Sequence, residues 1–222
     1  MKPLLAETKD VHTLQELGRA SVQIVHDLKN QLNGLKLYAT FLRKRMEKSE
    51  RPADEQETIL KLIAGLERAA ADMTALVRYG RPIEPRRQPG VDLVKIVSGV
   101  AMSEGVYFEA ATPTIEGEID GALIAEALQT ITTAALRLGQ VDGSAPLLIH
   151  IRTEDATGAP TALIEWRGVK SNDDHDPFHS FAGSDALRMS LAAKMIEAHG
   201  GEAAQAQNTL RVSLPLKERD EG

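Results

Sequence analysis

Among the side chains that could do chemistry, His26 is the best placed. It lies in the stretch Leu14–Met46 with Asp27 beside it and Lys29, Asn30 and Asn33 following. On a helix the last three sit three, four and seven residues on and share its face, and all are polar. A neutral, exposed imidazole on a rigid element can act as a nucleophile near pH 7. Spacing alone describes a solvated surface histidine equally well, and that is the commoner meaning of such a pattern. The other histidines offer less. His12 is near a terminus, His150 alternates within an apolar strand pattern, and His199 precedes a glycine pair. His175 and His179 flank Asp173, Asp174 and Asp176, but consecutive ligands with nothing to fix their geometry read as a solvated loop. There is no P-loop and no HExxH, and no Ser-His-Asp spacing stands out.

The element that must carry His26 is long. Leu14, Leu17, Ile24, Leu28, Leu35 and Leu42 recur at alternating steps of three and four, with Ser21, Gln31 and Tyr38 filling the same seam. Such a heptad seam marks a helix packed along its length, here roughly 50 Å. A second file, Val25, Leu32, Ala39 and Met46, widens the stripe beyond a two-helix seam. With Leu14 at an "a" position, His26 is at "f", facing water. Thr13 and Glu16 form a capping box at the start. Ser49–Gln56 reads as a turn, with Pro52 suited to the first position of a second helix running to about Tyr79. The second seam is Ile59, Leu62, Leu66, Ala69, Met73 and Leu76. Two such helices predict an antiparallel hairpin. One hairpin cannot cover two wide stripes, so a homodimeric four-helix bundle is expected, with an interface of about 2,000 Å² or more.

Composition bounds the rest. The chain has 222 residues, 42% hydrophobic and 26% charged, with net charge −6 and no cysteine. That is a globular composition whose acidity argues against a nucleic-acid surface. The lack of cysteine excludes a disulfide framework and thiolate metal sites. No apolar run suits a signal peptide or a membrane span, and only about a dozen residues precede the first helix. The expectation is a cytoplasmic protein with neither membrane anchor nor sensor domain.

Gly80–Gly90 carries three prolines and no periodicity and reads as a stiff linker. The expected domains are therefore 1–80, a linker 81–90, and 91–222. In the last, VDLVKIVSGVAM is predicted as a short helix, and VYFEA and PTIEGEI as strands. Gly121–Gly139 is predicted as an amphipathic helix. PLLIHIRT and TALIEWRG are strands joined by the turn DATGAP. Ser184–Gly201 is a helix closed by Gly200 or Gly201 in a left-handed cap, and EAAQA and TLRVSLPL form a last hairpin. The fold class is α+β, two domains: a helical hairpin followed by an α/β sandwich.

The string VHDLKNQLNGLKL resembles the H-box of histidine kinases and histidine phosphotransferases. The resemblance places the phosphoryl-accepting histidine at His26, its acidic neighbour at Asp27 and the family's Asn or Thr at Asn30. Many members have a proline next; here it is Gln31, so a straighter helix is expected. Val91–Pro215 is similar to the family's ATP-binding domain. Its marks are Asp120 opening the central helix, DPFHSF (Asp176–Phe181) like the family's F-box, and AAKMIEAHGGE with a final strand ending at Leu214 and Pro215.

The departures matter as much. The family's magnesium-holding Asn falls at Ala134, and an upstream Asn position at Thr130. Alanine has no oxygen for a hard cation. No Asp-x-Gly-x-Gly occurs; after TALIEW stand Arg167, Gly168, Val169, Lys170 and Ser171. In place of Gly-x-Gly-Leu stand Arg188, Met189, Ser190 and Leu191, which removes the bare backbone that phosphates need. Each charge-assisted contact is worth about 1.5–3 kcal/mol, so the set amounts to roughly 5 kcal/mol or more. That is at least about three decades in affinity. Arg188 could in principle hold a phosphate itself.

The function expected from the resemblance is a histidine phosphotransferase in a two-component phosphorelay. It would move a phosphoryl group between receiver-domain aspartates through His26, without binding ATP. Asp27 would orient the ring or take its proton, Lys29 would offset phosphate charge, and Asn30 would donate a hydrogen bond. The chain itself would need no cofactor, since magnesium would come with the receiver. The expected partners are response-regulator receiver domains, a sensor histidine kinase and a second copy of the chain. Two alternatives stand beside this. One is a pseudokinase that binds and regulates a kinase or response regulator; the other is an active histidine autokinase.

Overall fold

Among the described residues, the seam of the first long helix is left exposed. The computed structural model describes residues 25, 28–44, 53–139, 146–156, 159–170, 176–180 and 184–216. The chain divides into two compact units, Met1–Pro82 and Ile83–Gly222. In the first, residues 28–44 form helix α1 and Ala53–Tyr79 form α2. Lys36 Nζ meets Glu67 Oε1 at 2.8 Å, so the two helices lie side by side there. Yet the expected seam is open: Leu28, Leu42, Leu35 (53%) and Tyr38 (67%) are exposed. The side that turns inward is the second file, where Ala39 is buried and Val25 and Leu32 are half-buried. On α2, Ile63 and Ala75 are buried, whereas Leu60, Leu62 and Leu76 are exposed.

In the second unit the order is β1 (Gln88–Asp92), α3 (Leu93–Glu104), β2 (Tyr107–Ala110), β3 (Glu116–Ile119) and α4 (Gly121–Leu138). Then follow β4 (Leu148–Ala156), β5 (Ala159–Arg167), α5 (Ser184–Glu197), β6 (Glu202–Ala206) and β7 (Thr209–Pro215). Five strands form one sheet in the order β2-β4-β5-β7-β6. β2 is parallel to β4, and the other pairs are antiparallel. β1 and β3 form a separate antiparallel pair.

Three sequence expectations need correction. Gln88–Gly90, read as linker, belong to β1: Gln88 pairs with Ile119 of β3, and Pro89 and Gly90 fall in an irregularity before Val91 pairs with Gly117. The helix read from Val91 starts at Leu93. Asp92 is extended and caps it, its Oδ1 accepting from Val94 N at 3.0 Å and from Ile115 N at 3.4 Å. Most of DATGAP, read as a turn, is strand: Asp155 pairs with Pro160 and Ala156 with Ala159. A proline near the end of an antiparallel pair keeps its carbonyl free to accept, and Pro160 O accepts from Leu216 N at 2.8 Å.

The core follows from alternation along the strands. Ile149 and Ile151 on β4, Ala162, Ile164 and Trp166 on β5, and Leu210, Val212 and Leu214 on β7 are all fully buried. They sit opposite one another in register: Ile149 with Trp166, Ile151 with Ile164, Trp166 with Leu210. Trp166 Nε1 donates to Thr132 Oγ1 at 2.9 Å, and that hydroxyl donates to Leu128 O at 2.8 Å. This ties β5 to α4 and leaves no polar atom of the pair stranded. The opposite face of the sheet is ionic. Glu165 Oε2 accepts from Arg167 Nη2 at 2.7 Å and Oε1 from Arg211 Nη2 at 3.0 Å. Burial pushes the Glu165 carboxyl up, and the bonds and charges of Arg167, Arg211 and Arg152 outweigh it, leaving a net lowering.

Candidate functional site

Two places carry the expected chemistry. The first is the polar face of α1. His26 and Asp27 lie outside the described residues. Of the other two named residues, Asn30 is exposed and Lys29 is half-buried on helix α1. Asn33, one turn on, is exposed as well, so this face is polar along the described part of the helix. Gln31 sits within continuous helix, as the absence of proline there predicts.

The second is the cleft between α4 and α5. Asp120 N–H meets His199, just beyond α5, while Arg137 at the end of α4 pairs with Asp185 at the start of α5. The two helices are therefore antiparallel neighbours. Near the second end they enclose a cleft of about 220 Å³ lined by Glu126, Gln129, Thr130, Thr133, Ala134, Arg137, Asp185 and Arg188. The α4 residues in it fall at steps of three and four, one face of the helix.

The chemistry of this lining is informative. Thr130 Oγ1 donates to Glu126 O and Thr133 Oγ1 to Gln129 O, each at 2.9 Å, so both hydroxyl protons serve the helix. Ala134 is buried and brings only a methyl group. Arg188, at the position where the resemblance leads one to expect a glycine, brings a side chain to the lining. The Arg137–Asp185 ion pair spans the cleft. The donor set is thus poor for a magnesium–triphosphate group: hydroxyls rather than amides, a methyl for the cation ligand, and a cleft bridged by its own ion pair.

Of the remaining candidates, those among the described residues make structural contacts. His150 lies on β4 opposite Glu165, its Nδ1 3.9 Å from Oε2 and 3.2 Å from Arg167 Nη2. In the DPFHSF stretch Phe178 is buried, and Asp176 holds the turn through Phe178 N–H at 2.9 Å and His179 Nδ1 at 2.9 Å. Asp173, Asp174 and His175 lie outside the described residues, and among the described residues no group of three metal-ligating side chains converges.

Sequence reasoning marked Asp120 only through a resemblance and missed its role. Its Oδ1 accepts from Ala122 N and Leu123 N, and its Oδ2 from Arg86 N at 2.9 Å. Burial pushes its carboxyl up, but these three N–H donors outweigh it, leaving a net lowering. The signal for a helix cap was an Asp before an apolar-periodic run; nothing local announced Arg86 or His199.

Solved structures share this fold. ShkA, full-length and in complex with AMPPNP, superposes with a TM-score of 0.64 at 17% identity, covering 87% of this chain and 45% of ShkA. Histidine kinase ThkA in complex with response regulator TrrA gives 0.57 at 17% identity, covering 96% of this chain and 66% of the other. Histidine kinase AdeS of Acinetobacter baumannii gives 0.53 at 15% identity, covering 86% and 97%. The chain thus spans under half the length of ShkA and just under two thirds of the ThkA-complex chain. No family model matches the chain, and no curated protein matches it in sequence. The fold is histidine kinase-like. Among the described residues no helix is long and apolar enough to cross a membrane.

Proposed function

We propose that the chain is a histidine phosphotransferase that relays phosphoryl groups between receiver-domain aspartates and makes no use of ATP. The observation that carries this is the α4–α5 cleft. A histidine kinase-like fold surrounds it, yet Ala134, Thr130 and Arg188 line it and the Arg137–Asp185 ion pair bridges it. A kinase frame without the groups that hold fuel is suited to passing on phosphate made elsewhere.

In this reading a ring nitrogen of neutral His26 attacks the phosphorus of an aspartyl phosphate. The N–P bond forms as the acyl-phosphate P–O bond breaks, and the receiver's aspartate leaves as a carboxylate. The reverse exchange loads a second receiver. Asp27 orients the ring or holds its proton, Lys29 offsets charge on the transferred group, and Asn30 donates a hydrogen bond. Magnesium, when bound in the receiver's own site, supplies charge neutralisation on the phosphoryl oxygens. That the fold has a counterpart solved with a response regulator supports receivers as partners. The open seam of Leu28, Leu35, Tyr38 and Leu42 supports a homodimeric four-helix bundle built from two α1–α2 hairpins.

The test is transfer from a phosphorylated receiver. The wild-type chain should take label that is lost in acid, and His26→Ala should take none while remaining a dimer. Transfer that survives His26→Ala would refute the assignment. Calorimetry should find no ATP binding tighter than about 1 mM, from the contact losses above. The same cleft also suits a regulator that docks a kinase or receiver without carrying phosphate. Persistent failure of transfer, with receiver binding retained, would select that function.

A further inference from the structure

Arg86 and Arg87 belong to a stretch that the sequence shows only as proline-rich and aperiodic, yet both are tied down. Arg86 N–H donates to Asp120 Oδ2 at 2.9 Å, on the cap of α4. Arg87 Nη2 donates to Ala198 O at 2.9 Å, just beyond α5. The strap Glu84–Gln88 thus grips both helices of the pair at one end.

His199 joins those two grips, and its geometry fixes its proton. Nε2 lies 3.1 Å from Asp120 N, which can only donate, so Nε2 must accept and carry no hydrogen. Nδ1 lies 2.7 Å from Met195 O, which can only accept, so Nδ1 must carry the hydrogen. The buried ring thus donates from Nδ1 and accepts at Nε2. Asp120 in turn accepts from Arg86, Ala122 and Leu123. Strap, α4 cap and α5 end form one continuous hydrogen-bonded set. The far end of the same helix pair is closed by Arg137 and Asp185 across the cleft.

We infer that Arg86, Arg87, Asp120 and His199 form a latch that couples the strap Glu84–Gln88 to the width of the cleft at the other end of the α4–α5 pair. Packed helices move as stiff rods, so a pair pinned at two ends shares any load between them. The strap is also the first part of the second unit after Pro82, so displacement of the chain there reaches α4 and α5 directly. The inference stands whether or not the chain carries phosphate.

Hydrogen exchange on the full chain tests it, read at the Arg86 amide and at amides near the cleft. Arg87→Ala should speed exchange of the Arg86 amide about three- to tenfold, the worth of one such bond. Arg137→Ala should also speed it, although the two ends share no atom. The double variant should depart from the product of the two single effects. A double variant equal to that product, or an Arg86 amide indifferent to Arg137→Ala, would overturn the coupling. Nitrogen NMR of His199 gives an independent check: a hydrogen on Nε2 in the neutral ring would overturn the latch itself.

Discussion

At one end of the α4–α5 pair, Asp120 and His199 sit among partners that account for each of their side-chain polar atoms; at the other, Arg137 and Asp185 meet across an open cleft. Both ends use one acid and one base, but the surroundings differ. His199 is buried, whereas the Arg137 and Asp185 side chains are 55% and 53% exposed. Hydrogen bonds anchored on a buried ring hold a frame; an exposed ion pair fixes a separation but adds little to stability. The first end should therefore be costly to alter and the second cheap.

The largest effect is expected beside the first end, at Gly201. A Cβ there would lie 2.2 Å from Ser213 O and 2.9 Å from Ile196 Cγ2 and Leu214 Cδ2. Those neighbours are backbone and buried core, so none can step aside. Gly201→Ala should cost about 3 kcal/mol or more, measured by urea unfolding, the upper range for overpacking. A loss under about 1 kcal/mol would mean that this end is looser than its hydrogen bonds imply. Asp120→Ala comes next. It removes a helix cap and the bond to Arg86 N–H, for about 1–2 kcal/mol.

Much of this frame was legible in the sequence. Strands β4, β5 and β7 announced themselves by apolar runs, and helix α4 by Ile124, Ala127, Leu128 and Ile131 on one face. What was not legible required contacts between residues far apart. Nothing in RPIEPRRQPG reveals that Arg86 will find Asp120, 34 residues on, or that Arg87 will find Ala198, 111 residues on. The α1 seam shows the converse limit. Its heptads said which residues want apolar partners, and not whether those partners lie in the same chain; the file that turned inward was Val25, Leu32 and Ala39. The end of DATGAP was misjudged because turn-forming residues also fit the last rungs of a ladder. On the same helix, Asn30 and Asn33, read as polar-face neighbours of the candidate histidine, are exposed.

A third contrast lies across the sheet, between its apolar face and the ionic face around Glu165. Asp120 and Glu165 both have carboxyls held below their ordinary range. A depressed folded value means that stability is present above the unfolded carboxylate range of about 4 and is lost as pH falls through the lower folded value. Midpoints of urea unfolding should be flat from about pH 5 to 7 and fall below about pH 4. Glu165→Gln should lower the neutral-pH plateau and flatten the acid limb. A limb unchanged by that substitution would assign the acid sensitivity elsewhere.

The smallest effect should come from the cleft itself. Arg137→Ala breaks an ion pair whose members are both more than half exposed, so stability should change by no more than about 0.5 kcal/mol. If the ion pair were the obstacle to nucleotide, the same change would open the cleft and ATP would bind. Calorimetry on Arg137→Ala should instead find affinity still weaker than about 1 mM, because the missing pieces are a cation ligand at Ala134 and bare backbone at Arg188, neither of which Arg137 supplies. Tight ATP binding by this variant would turn the cleft from a remnant into a gated site. It would also make the ion pair the most consequential contact of the second unit, despite being one of its weakest.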